Sequence, residues 1–150
     1  DVTLLGGIMY MESRGRTGQR SPAGALGLMQ LVPAAAGDAA RRLGLPEPSV
    51  EQLLEDDELN VRLGAAHLAW LLEHRGQWSL EQVLVSYNAG RARLMGWIED
   101  AGGYGSWRAE QEQAGERGVA ISGALSYALG VLDAARTLKE RGELVPDALD

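Results

Sequence analysis

The sequence predicts an all-α domain, on three observations. Apolar residues recur at helical spacing in four separate stretches. No stretch shows the apolar–polar alternation of a half-buried strand. Ser, Pro and Gly fall where helices begin and end.

In the first helix, Leu5, Ile8 and Met9 stand at i, i+3 and i+4, and the next member of that series is Glu12. A carboxylate therefore completes an apolar stripe, and Gly15 is the natural residue to end the helix. Burial and the negative end of a helix dipole both disfavour the charged form. Glu12 is thus expected to titrate well above its ordinary value, as a general acid working near neutrality requires. No Asp or Glu occurs between Glu12 and Asp38, so the following loop brings no second carboxylate. Arg14, Arg16 and Arg20 in that loop would lower the pKa if they pointed at Glu12, and they are expected to face away. Ser21-Pro22 and Gly24 make a turn. Gly27 then precedes Leu28-Met29-Gln30-Leu31-Val32, an apolar run interrupted by one amide that needs polar partners.

Pro33 fits the first turn of a second helix running to about Leu43, with Gly44 ending it and Pro46 and Pro48 holding the connection extended. Ser49 caps one short turn, and Asp56 and Asp57 precede a long helix with Val61, Gly64, Ala65, Leu68 and Leu72 on its apolar face, ended by Gly76. Ser79 and Gln82 make a capping box for a helix whose stripe is Leu80, Val83, Leu84 and Tyr87, stopping at Ala89-Gly90. The Gly-, Gln- and Glu-rich segment from Gly102 to Gly118 reads as an irregular excursion, pinned by Trp97, Tyr104 and Trp107 or laying them along a groove. A last helix runs from about Val119 to Arg141 with Ile121, Ala124, Leu125, Ala128, Leu132, Ala135 and Leu138 on its stripe.

The chain has 150 residues, enough for one domain with a real core, and 45% hydrophobic against 23% charged residues is ordinary for a globular protein. Its 21 acidic against 14 basic residues, a net charge of −7, argue against nucleic acid as a partner. The absence of Cys excludes disulfides and thiolate metal sites. His67 and His74 share a helix without a third ligand, so no metal site is expected. No apolar run approaches the ~20 residues needed to span a bilayer. A start at Asp1 without a signal-peptide pattern reads as a fragment or mature portion.

Glu12-Ser13, then Ser21-Pro22-x-Gly24-Ala25-x-Gly27-Leu28-Met29-Gln30 and Pro33, resembles the catalytic segment of the soluble lytic transglycosylases, the SLT-type members of the lysozyme-like superfamily. Further blocks follow in the expected order. Asp57-x-x-Asn60-Val61-Arg62-Leu63-Gly64-Ala65-Ala66-His67-Leu68 is similar to the family's Asn-Ile-x-x-Gly-x-x-Tyr-Leu helix, with His67 replacing the Tyr. Ser86-Tyr87-Asn88-Ala89-Gly90 is similar to its Ala-Tyr-Asn-Ala-Gly block, and Tyr127 falls at the Tyr of its last block. One departure is Gly123, where that block has a Glu.

The resemblance implies a lysozyme-like helical fold with a substrate cleft, residues 1–150 forming a single catalytic domain. It implies Glu12 as the single catalytic acid and base, Ser21 orienting it, and Gln30 contacting sugar N-acetyl or hydroxyl groups. Tyr87 and Tyr127 would flank Glu12, Met29 would shape the pocket, and Asn88 would hold the Tyr-bearing turn. By pattern alone Tyr87 and Met29 read equally as core and Asn88 as a helix-end cap. The implied activity is cleavage of the MurNAc–GlcNAc β-1,4 bond of peptidoglycan to give 1,6-anhydro-MurNAc, in the bacterial cell envelope and without a cofactor. A lysozyme-type hydrolase of the same bond and a non-catalytic peptidoglycan-binding module stay open beside it.

Overall fold

The computed structural model describes residues 1–74 and 76–142. Their regular structure is α1 (Val2–Ser13), α2 (Pro33–Arg42), α3 (Val50–Glu55), α4 (Asp57–Glu73), α5 (Leu80–Ala89), α6 (Arg91–Ala101), α7 (Tyr104–Glu116) and α8 (Gly123–Arg141). No strand forms among the described residues; Leu26 alone makes isolated bridges, to Arg20 and to Leu31. The all-α expectation holds.

Local chemistry sets the helix starts. The Asp1 carboxylate accepts the Thr3 N–H at 2.9 Å to cap α1, and Pro33 opens α2. Ser49 with Gln52 and Ser79 with Gln82 form reciprocal capping boxes at α3 and α5. The Asp56 carboxylate caps α4 through the Leu59 N–H at 2.9 Å.

α1 and α8 run antiparallel in close contact, and α5 packs against α8 as well. A Cβ on Gly7 would lie 2.6 Å from the Val131 carbonyl oxygen, and one on Gly130 would lie 2.6 Å from the Met11 methyl. The two bare positions let the helices approach and bury Leu4, Ile8, Leu125, Ala128 and Val131 in the common core.

α1 ends as expected, with Arg14 (φ 56) at the cap and Gly15 (φ 71) left-handed just beyond it. Three expectations are corrected. The buried face of α4 is Asn60, Leu63, Gly64, Leu68 and Leu71, one residue round from the anticipated stripe, because a polar residue belongs to it. The segment 102–118 is not irregular: α7 occupies most of it. Trp107 is buried and stacks on Trp97 of α6 at 5.4 Å, while the Glu81 carboxylate on α5 accepts hydrogen bonds from the Tyr104 hydroxyl and from Arg108 Nε at 3.1 Å. α8 starts at Gly123 rather than near Val119. Gly118 is left-handed (φ 73), the Val119 N–H is held by the Ala114 carbonyl at 2.8 Å, and the Ser122 N–H by Gln111 Oε1 at 2.8 Å.

Candidate active site

A cleft of about 550 Å³ opens between the end of α1, the loop that joins α1 to α2, the middle of α4 and the end of α5. Glu12, Ser21, Gln30, Tyr87 and Asn88 all line it, so the structure brings five of the seven residues singled out from sequence into one wall.

Glu12 is half-buried in the last turn of α1. Burial pushes its carboxyl up to about 7, and the Tyr127 hydroxyl beside it offsets part of that effect by favouring the charged form. The Tyr127 hydroxyl is sealed from solvent without a fully formed hydrogen bond, so the two groups are close but not locked together. Burial, and then the Glu12 charge, raise both Tyr87 and Tyr127 above the ordinary tyrosine range and keep them as neutral donors. Arg14, Arg16 and Arg20 are exposed as expected, and Arg14 lies over the Tyr10 ring at 4.3 Å.

The loop owes its shape to Asn60, whose importance the sequence reading missed. The fully buried Asn60 amide donates to the Leu26 and Leu53 carbonyls at 2.9 Å each, and its oxygen accepts the Met29 N–H at 2.8 Å. Gly27 passes so close that a Cβ would sit 2.2 Å from Asn60 Nδ2, and its φ of 75 already favours glycine. Gln30 is also left-handed (φ 48), and Nε2 donates to the Gly27 and Gln19 carbonyls at 2.9 and 3.1 Å. Its Oε1 makes no hydrogen bond among the described residues, which leaves an acceptor on the cleft wall. Ser21 Oγ accepts the Ala25 N–H at 3.0 Å and closes the turn; no hydrogen bond joins it to Glu12.

Three of the implied site roles are corrected, those of Ser21, Met29 and Asn88. Met29 is fully buried against Gly64 and does not line the cleft; its carbonyl accepts the Tyr87 hydroxyl at 3.3 Å, so it supports the wall from behind. Tyr127 is 7% exposed and does not line the cleft, and its hydroxyl lies beside the Glu12 carboxyl. Asn88 is exposed at the rim and makes no side-chain hydrogen bond among the described residues, so it does not hold the turn. His67, Trp70, Ser86 and Arg91 add further polar and aromatic groups to the lining. The three buried side-chain polar atoms without a partner among the described residues, on His67, Ser86 and Tyr127, all lie in the cleft wall or directly beneath it.

Comparison with known proteins assigns this arrangement to a family. The sequence profile of the transglycosylase SLT domain matches residues 1–109. The chain belongs to the SLT transglycosylase family. Within that family it is 38% identical over 104 residues to the endo-type membrane-bound lytic murein transglycosylase A of Klebsiella pneumoniae, covering 63% of this chain and 50% of that one. It is 30% identical over 96 residues to the soluble lytic murein transglycosylase of Escherichia coli, covering 64% of this chain and 15% of that one. An inactive mutant of the lytic transglycosylase Slt from Pseudomonas aeruginosa superposes with a TM-score of 0.73 at 27% identity, over 99% of this chain and 23% of that one. The chain thus spans half or less of the length of these relatives. The SLT assignment makes the all-α fold lysozyme-like. Gly123, the departure from the SLT pattern, is exposed on the first turn of α8, and a Cβ there would meet open space.

Proposed function

We propose that this chain is the catalytic portion of a bacterial peptidoglycan lytic transglycosylase acting in the cell envelope, with the described helices working as one domain. The observation that carries the reading is a single half-buried carboxyl, pushed up to about 7, in a cleft whose lining holds no other Asp or Glu among the described residues. A volume of about 550 Å³ suits a pair of sugar rings, within the ~300–1,000 Å³ usual for ligand sites. A glycosidase that hydrolyses through two carboxylates needs a second one as nucleophile or as base for water.

With one carboxyl, the reaction runs in two halves. Protonated Glu12 gives its proton to the glycosidic oxygen as the C1–O bond of MurNAc breaks, and GlcNAc leaves with its new hydroxyl. Ionised Glu12 then takes the proton of the same MurNAc's C6 hydroxyl as that oxygen bonds to C1, giving the 1,6-anhydro sugar and restoring the acid. No water enters the balance. Gln30 Oε1 and the Asn88 amide offer polar contacts to N-acetyl and hydroxyl groups. Burial keeps Glu12 protonated for the first half, and the Tyr127 hydroxyl favours its ionised form in the second. Tyr87 stays neutral in the cleft wall, Met29 backs the wall, and Ser21 shapes the turn that lines the cleft.

Clearing of purified sacculi, followed by turbidity, tests the reading. The wild-type chain lyses them, whereas Glu12→Gln keeps shape and hydrogen bonding but has no proton to give. It therefore loses almost all lysis and still sediments with the sacculi. Equal lysis by both proteins would overturn the assignment of Glu12, and binding without lysis by the wild type would leave a peptidoglycan-binding module.

A further inference from the structure

Among the residues lining the cleft, His67 is one that the proposed reaction leaves unused. It stands on α4, with its ring 5.3 Å from Tyr87 and stacked on Trp70 at 6.3 Å. Nδ1 is buried and has no hydrogen-bond partner. Nε2 is not among the sealed atoms and has no protein partner either, so it is the ring nitrogen that opens on the cleft. An orphaned buried N–H is costlier than an orphaned lone pair, so the proton of the neutral ring belongs on Nε2. Burial and the Arg42 guanidinium on α2 keep the ring neutral against the weaker opposing pull of Asp38. Arg42 is itself held over Trp70 at 4.4 Å.

We propose that His67 is a substrate-contacting residue that donates a hydrogen bond from Nε2 to an oxygen of the bound glycan, the N-acetyl carbonyl being the strongest acceptor such a strand offers. The inference rests on the reading of the cleft as a glycan site. The donor on α4 and the Gln30 acceptor on the loop line the same cleft, and the two together select a sugar that carries both an acceptor and a donor. An apolar chain satisfies neither of them, and a hydroxyl-only chain lacks the amide carbonyl that is the stronger acceptor for the His67 donor.

Binding is measured with glycan strands stripped of peptide by an amidase, in the Glu12→Gln background so that no turnover occurs. His67→Phe should weaken binding roughly tenfold, the size expected for one neutral hydrogen bond lost in a cleft. His67→Gln, which places an amide N–H near the position of Nε2, should restore most of it. Nitrogen-resolved NMR of the parent should show the Nε2–H tautomer free and a downfield shift of that proton on adding strands. Unchanged binding by His67→Phe, equal weakening by Phe and Gln, or an unmoved Nε2 proton would overturn the proposal while leaving the glycan site standing. Failure of the Glu12→Gln parent to bind strands would overturn the glycan site and this proposal with it.

Discussion

Replacing Glu12 by Gln should stabilise the protein above neutral pH while removing its activity. In the folded chain burial holds the Glu12 carboxyl at about 7, against an ordinary value of 4.5. Between these values the unfolded chain gives up the proton and the folded chain keeps it, so the unfolded state gains ground as the pH rises. The stabilising contribution of the protonated carboxyl is complete below about pH 4.5 and is lost as the pH rises through about 7. At ~1.4 kcal/mol per tenfold in the proton equilibrium, and with the carboxyl partly open to the cleft, the loss is roughly 2–3 kcal/mol. Gln does not titrate and escapes it. His67, whose ring burial keeps neutral, has the opposite dependence: its contribution is present above its unfolded pKa and fades as the pH falls. That term is common to both proteins and cancels in their difference. Urea unfolding at pH 5 and pH 8 gives the assay. Glu12→Gln should be near the wild type at pH 5 and roughly 2–3 kcal/mol more stable at pH 8. A difference that does not change between the two pH values would refute the raised pKa and the burial argument behind it.

Three further predictions follow from the same geometry. Loss of the Glu12 proton should make kcat/KM for lysis fall about tenfold per pH unit above about 7, and the fall should begin nearer pH 4.5 if the acid is unperturbed. Asn60→Ala leaves the Met29 N–H orphaned and opens a cavity behind the loop, so it should cost about 3 kcal/mol in chemical denaturation and raise KM; a cost below about 1 kcal/mol would mean that the loop holds without it. Gly123→Glu meets open space at the start of α8, where an acidic side chain is favoured, so stability should stay within about 0.5 kcal/mol of the wild type and sacculus lysis should quicken. An unchanged rate would show that the carboxylate missing at this position has no part in the reaction here.

The starts of α2, α3 and α5 were legible because capping is local: Pro33, Ser49 with Gln52, and Ser79 with Gln82 act within one turn and need no partner from afar. Glu12 was legible for a related reason, since a carboxylate that completes an apolar stripe is visible as an exception to a period. Asn60 was not. It also completes an apolar face, but its three hydrogen bonds go to Leu26, Met29 and Leu53, and periodicity counts only apolar residues. Leaving it out turned the predicted face of α4 by one position. α7 was hidden because its surface is mostly exposed and rich in Gly, Glu and Gln. It is held by one buried indole, Trp107, and by Tyr104 and Arg108 reaching Glu81 more than twenty residues away. Met29 and Tyr127 sat in the right motifs, yet which side of the cleft wall a residue takes is decided by packing against Gly64 and α1, which no tetrapeptide encodes.

The central claim is that one carboxyl serves first as acid and then as base, with the substrate's own C6 hydroxyl as the nucleophile. Mass spectrometry of the muropeptides released from sacculi by the wild-type chain tests it most directly. The released products should be lighter by one water than their hydrolytic counterparts, each ending in 1,6-anhydro-MurNAc. Products ending only in reducing MurNAc would contradict it and place water, not the C6 hydroxyl, in the second half of the reaction.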